Sequence, residues 1–155
     1  MKELSGEKHF LYFLNRNYYA ASHVAERLDD LADLPLFADL KVIVAAAIKS
    51  LELQLSETDN IFTLLKADHS ASDCEATIFF MEGTFSTIQN PENTAPYLSL
   101  LDYVSIADAI MHESAELAGL SLAQLPGLSL PKLQLYDSRT LGSLKTLLEE
   151  TYIAL

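Results

Sequence analysis

Glycine and proline are scarce in this sequence, five of each among 155 residues, and clusters of β-branched residues are few. With runs of alanine and leucine between those breakers, the composition predicts helices, not strands. Cysteine is nearly absent. Cys74 alone excludes an intramolecular disulfide framework and points to a reducing, cytoplasmic setting. No apolar run approaches the roughly 20 residues of a membrane span, and Met1–His9 lacks the apolar core of a signal peptide. Basic residues are few, 10 Lys and Arg against 22 Asp and Glu, for a formal net charge of −12. That sign repels phosphate backbones and anionic membranes, so neither nucleic acid nor membrane is an expected partner.

What is present is periodic. The chain reads as one domain, residues 1–155, with a first helix from about Ser5 to Leu34 in which Phe10, Leu14, Tyr18, Ala21, Ala25, Leu28 and Ala32 recur at steps of three and four. A second helix is predicted from about Leu36 to Ala67, opened by Pro35. Ser72 followed by Glu75 reads as a capping box for a third, Asp73 to about Gln89, closed by Asn90-Pro91. The fourth, about Tyr97 to Gln124, carries Leu101, Val104, Ile106, Ile110, Leu117 and Leu120. Pro126-Gly127 and Pro131 force a leucine-rich loop over 125–136. Asp137 or Ser138 then caps a last helix, Arg139–Ala154, with Leu141, Leu144, Leu147 or Leu148 and Tyr152 facing inward.

Two acids fall on predicted apolar stripes. At about 100° per residue, Glu57 borders a face of Ala47, Leu51, Leu55, Thr58, Phe62 and Leu65, while Glu113 lies between Ile110 and Leu117 with Glu116 at the stripe's edge. Carboxylates at inward positions, joined by Glu-x-x-His pairs, hold two metals in metal-carboxylate bundles. Here Asn60 stands three residues after Glu57. If Glu57 and Glu113 face each other without a cation, they are expected to share a proton at raised pKa. His9, His69 and His112 are expected in solvent, His23 belongs to the first helix, and Cys74 is expected to be a buried, inert thiol.

The order and wording of these helices resemble the YciE/YciF-type family of bacterial ferritin-like proteins over most of the chain. Tyr18-Tyr19-Ala20-Ala21-Ser22-His23 is similar to that family's aromatic-Ala-Glu segment, and Gln54-Leu55-Ser56-Glu57-Thr58-Asp59-Asn60 to its His-Leu-x-Glu-Thr-x-x-His segment. Asp73-Cys74-Glu75-Ala76 with Glu82-Gly83 resembles the opening and the Glu-Gly of its intermediate helix. Glu113-Ser114-Ala115-Glu116-Leu117-Ala118 resembles Glu-His-x-Glu-Ile-Ala, and Leu147-Leu148-Glu149-Glu150-Thr151 resembles Leu-Leu-x-Glu-Thr.

The resemblance implies an all-α, ferritin-like antiparallel four-helix bundle with an additional intermediate helix, commonly a homodimer and loosely tied to stress responses. It carries Glu57, Glu113 and Glu116 over as candidate metal ligands. The departures are Ala21 for Glu, Gln54 and Asn60 for His, and Ser114 for His. Carboxylates without imidazoles suit Mg, Ca or Mn better than a di-iron centre. The expected function is therefore a non-catalytic bundle with a degraded metal site and no cofactor, acting as a dimeric scaffold or binding protein. The alternative is an iron- or manganese-dependent di-metal protein, iron-handling or oxidase, using Glu57, Glu113 and Glu116.

Overall fold

The computed structural model describes residues 2–125 and 135–154, with side-chain environments over 6–125 and 135–151. Helix α1 spans Lys2–Ala32, α2 Lys41–Leu64, α3 Glu75–Ser86, α4 Pro96–Ala123 and α5 Arg139–Ala154; 3₁₀ segments at Pro35–Leu40 and Ala71–Cys74 lead into α2 and α3. Among the described residues there is no strand, so the fold class is all-α. No helix among them is long and apolar enough to cross a membrane.

The helix boundaries follow local chemistry. Pro35 opens a 3₁₀ segment whose Phe37 leaves helical geometry (φ −106°, ψ 19°), so the long second helix predicted from Leu36 is split, and α2 proper begins at Lys41. It ends before Ala67. Lys66 turns to φ 54°, its N–H bonding to Thr63 O at 3.1 Å and that of Ala67 to Phe62 O at 3.0 Å, the paired bonds of a Schellman cap. The capping box expected from Ser72 and Glu75 does not form: no side chain caps α3, and the Ser72 hydroxyl pairs with that of Ser70 at 3.2 Å. Before α5, Asp137 does cap, its Oδ1 accepting the Arg139 N–H at 2.9 Å. Most of the leucine-rich loop over 125–136 and the side chain of Tyr152 lie outside the described residues.

Helix α1 packs on α2, α3 and α4, while α5 packs on α4 and α2. Its pairing with α4 is antiparallel: Arg16 reaches Glu113, and His23, further along α1, reaches the earlier Tyr103. Helices α1 and α2 are antiparallel as well, since Phe10 and Leu14 share a cluster with Ile61 and Phe62 whereas Leu28 and Leu31 share one with Val44 and Ala47. Small residues let the axes approach. Ala20, Ala21 and Ala25 on α1 and Ala107, Ser114 and Ala118 on α4 are all buried. At the start of α4, Tyr97 stacks on Phe37 with ring centroids 5.4 Å apart, and its O–H donates to Leu36 O.

The apolar interior is in two parts. The larger cluster joins the second half of α1 to the start of α2, the inner face of α3, the first half of α4, and Leu141, Leu144 and Leu148 of α5. The smaller joins Phe10, Leu14, Ile61, Phe62, Ala118, Leu125 and Leu135. Between them lies a stretch of all three long helices.

Candidate functional site

That intervening stretch is polar. On α1, Asn17 falls between Leu14 of the smaller cluster and Ala21 of the larger; on α2, Gln54 and Thr58 fall between Leu51 and Ile61; on α4, Ser114 falls between Met111 and Ala118. Spacings of three and four keep each on the buried line of its helix. Asn17 and Ser114 have no exposed surface, Thr58 has 1 % and Gln54 has 8 %. Three helices, α2 and α4 each running antiparallel to α1, thus replace a hydrophobic residue with a neutral polar one between the two clusters.

Only part of this layer is satisfied. Asn17 Nδ2 donates to Leu135 O at 3.1 Å, and Thr58 Oγ1 donates to Gln54 O at 2.9 Å. Among the described residues, Asn17 Oδ1, Gln54 Nε2 and Ser114 Oγ have no hydrogen-bond partner. An acceptor, an amide donor and a hydroxyl are therefore held in the interior at a cost of about 1–3 kcal/mol each.

The predicted carboxylates lie elsewhere. Glu57, Glu113 and Glu116 are all exposed, which corrects the inward placement read from the sequence. The buried line of α2 runs through Val44, Ala47, Leu51, Gln54, Thr58 and Ile61, leaving Glu57 about 90° around the helix from its centre. That of α4 runs through Leu100, Tyr103, Ala107, Met111, Ser114 and Ala118, with Glu113 and Glu116 on the far side. Glu113 accepts from Arg16 Nη1 at 3.0 Å with its side chain 60 % exposed, so its partner is an arginine and not Glu57. The interior pairing of Glu57 with Glu113 expected from the projection is therefore absent, both residues being at the surface.

The resemblance implies bound metal, so the fit can be tested on the residues themselves. The interior layer offers amides and hydroxyls but no carboxylate, imidazole or thiolate, which are the donors iron or manganese requires. Among the described residues, no three His, Cys, Asp or Glu side chains come together as a set able to hold a metal ion. The donor set does not fit a di-metal centre.

A second polar group was not foreseen from the sequence. His23, 7 % exposed, lies between Tyr103 Oη and Glu82 Oε2, 2.6 Å from each. A carboxylate can only accept, so Nε2 carries the hydrogen toward Glu82, and in that tautomer Nδ1 accepts from the tyrosine O–H. Arg27 Nε donates to the same Glu82 oxygen at 2.9 Å, and its guanidinium lies 5.7 Å from the centre of the Phe85 ring. Burial raises the pKa of the Tyr103 hydroxyl, which stays protonated. The network ties α1, α3 and α4 together; its sequence signal was a histidine three and four residues from Ala20 and Arg27 on an apolar helix, too common a pattern to single out.

Glu82 makes the network sensitive to acid. Burial alone raises its pKa, but hydrogen bonds from Arg27 and His23 outweigh this and hold it below the ordinary 4.5. A carboxylate with a depressed folded pKa contributes stability that is complete above its unfolded value and is lost as pH falls through the folded one. Wild type should accordingly lose stability faster than Glu82→Gln as pH drops below about 5, measured by urea unfolding across pH 3–7. Parallel curves for the two proteins would refute this.

The remaining candidates serve packing. His69 is exposed, as expected, yet its ring also lies 4.2 Å from those of both Tyr18 and Phe62, and Nε2 is 2.7 Å from Asp59 Oδ1. Cys74 is 2 % exposed, and burial, reinforced by Asp73, pushes its thiol up to about 11, as expected of an inert cysteine. Asp108 accepts from Tyr136 O–H at 2.5 Å and Lys145 Nζ at 3.3 Å, fixing residues 135–136 and α5 to α4.

The fold and its interior define an all-α protein with a neutral polar layer. No protein family, curated protein or solved structure matches the chain.

Proposed function

We propose that this chain is a non-catalytic helical bundle of the ferritin-like type that acts by binding another protein. One observation carries the reading: where a metal-carboxylate bundle needs acids and imidazoles, the buried positions hold Asn17, Gln54, Thr58 and Ser114, and the acids face water. A neutral layer supplies neither a nucleophile with a base nor a ligand set, which leaves the outer surface as the functional part of the molecule.

The test is metal uptake. Purified protein incubated anaerobically with Fe(II) or Mn(II) and then dialysed should retain only background metal, and neither ion should raise the melting temperature, because a ligand bound to the folded state stabilises by mass action. Metal near two ions per chain that disappears in Glu57→Ala and Glu113→Ala would overturn the reading. Both residues are exposed, so those substitutions leave the fold intact.

A further inference from the structure

The outer face formed by α3 and α4 is apolar and carries charge of one sign. Phe79 is 83 % exposed and Phe80 56 %, although α3 buries its other side through Met81 and Phe85. Phe79, Phe80, Gly83, Thr87, Asp102 and Ile106 line a groove of about 620 Å³ between the two helices. A side chain at Gly83 would meet nothing within 4 Å, so the groove is open there. Between Lys66 and Lys132 the sequence has no lysine or arginine, and every charged residue in that interval other than histidine is acidic. Asp102 lines the groove, and Glu75, exposed, sits one helical turn from Phe79 on the same face.

We infer that this groove receives a basic amphipathic helix from a partner protein, an assignment that rests on the reading of the chain as a binding protein. Its lining residues recur at steps of three and four on both helices, a pattern of ridges that accepts the ridges of a third helix. The exposed phenylalanines and Ile106 take large apolar residues of the incoming helix, and Asp102 and Glu75 take flanking lysines or arginines. Charge selects against the other occupants. A second copy presents the same acidic groove, to which α3 and α4 themselves contribute no lysine or arginine, and is repelled, as is an anionic membrane.

The probe is a fluorescent peptide of about five helical turns with leucine and phenylalanine on one face and lysine on the other, titrated into the full chain by anisotropy. It should bind saturably at one site, and its counterpart with glutamate for lysine should bind at least about tenfold more weakly. Phe79→Ser with Phe80→Ser should weaken binding at least about tenfold, and Asp102→Lys should weaken it several-fold. Val42→Ser, at a residue 85 % exposed on α2, should leave it unchanged. All these positions are exposed, and matching thermal melts exclude misfolding.

Absence of binding, equal affinity for the glutamate peptide, or equal loss in Val42→Ser would overturn the assignment. A wild-type dimer that the Phe79/Phe80 variant converts to monomer, with peptide affinity unchanged, would make a second copy the occupant instead. The two readings fail separately. Failure of the peptide with only background metal defeats the assigned partner, whereas stoichiometric metal defeats the binding-protein reading itself.

Discussion

Replacing His23 with alanine is expected to lower the free energy of unfolding by about 3–4 kcal/mol and the melting temperature by about 10 °C. Two losses combine. The imidazole is 7 % exposed and packs beside Tyr103, so its removal leaves a cavity between α1 and α4. The Tyr103 hydroxyl, with no exposed surface, then loses its hydrogen-bond partner and bears the cost of burial unsatisfied, about 1–3 kcal/mol. Glu82 adds little, since its side chain is 46 % exposed and keeps Arg27. Tyr103→Phe removes the orphaned hydroxyl, so the double variant should be less destabilised than the sum of the two singles. Additive losses in urea unfolding would show that the tyrosine and histidine are not coupled.

The polar layer carries the opposite expectation. Changing Gln54 to Met and Ser114 to Ala together should raise stability by about 2–4 kcal/mol, because each removes a buried polar atom that has no partner among the described residues. Met conserves the volume of Gln and Ala that of Ser closely enough to avoid overpacking. The reverse substitution, Ser114→Asp, places a carboxylate at a fully buried site without a cation and should cost several kcal/mol at pH 7, much of it recovered as the group protonates in acid. Thermal melts of the three proteins at pH 7 and pH 4 test both directions. A destabilised Gln54→Met/Ser114→Ala protein would mean that the layer is satisfied by water, with those bonds contributing more than the apolar replacements.

Helix order and most boundaries were legible because they rest on local signals. Pro35 and Asp137 each mark a terminus, and α5 begins and ends where its cap and leucines put it, whereas α3 stops at Ser86, short of the Asn90-Pro91 signal. The buried face of α4 was not legible. Large aliphatic residues surround that helix, and Leu120, 57 % exposed, looks as inward as Leu100, which is fully buried. What decides the face is close approach to α1 through Ala107, Ser114 and Ala118, residues that carry little hydrophobic weight in a projection. Following the large residues rotated the predicted stripe toward Glu113 and away from Ser114. On α2 the predicted face was the buried one through Ala47, Leu51, Thr58 and Phe62, and the error was to widen it past Gln54 and Ile61 as far as Glu57, which is exposed. The His23 network needed three helices in place before its members became neighbours, and Glu82 and Tyr103 are far from His23 in sequence.

The division of the interior has a consequence for how the molecule opens. A polar level across three helices weakens the coupling between what lies on either side, so the two ends need not unfold together. Among the described residues, the smaller end, built on Phe10, Leu14, Ile61, Phe62 and Ala118, has no buried counterpart to the His23 network and draws on fewer helices. Its backbone amides should therefore exchange with solvent through partial openings of lower free energy than those that expose Leu28, Ala47 or Val104. On that expectation the neutral layer is the latch of the smaller end, and opening there leaves the larger cluster closed.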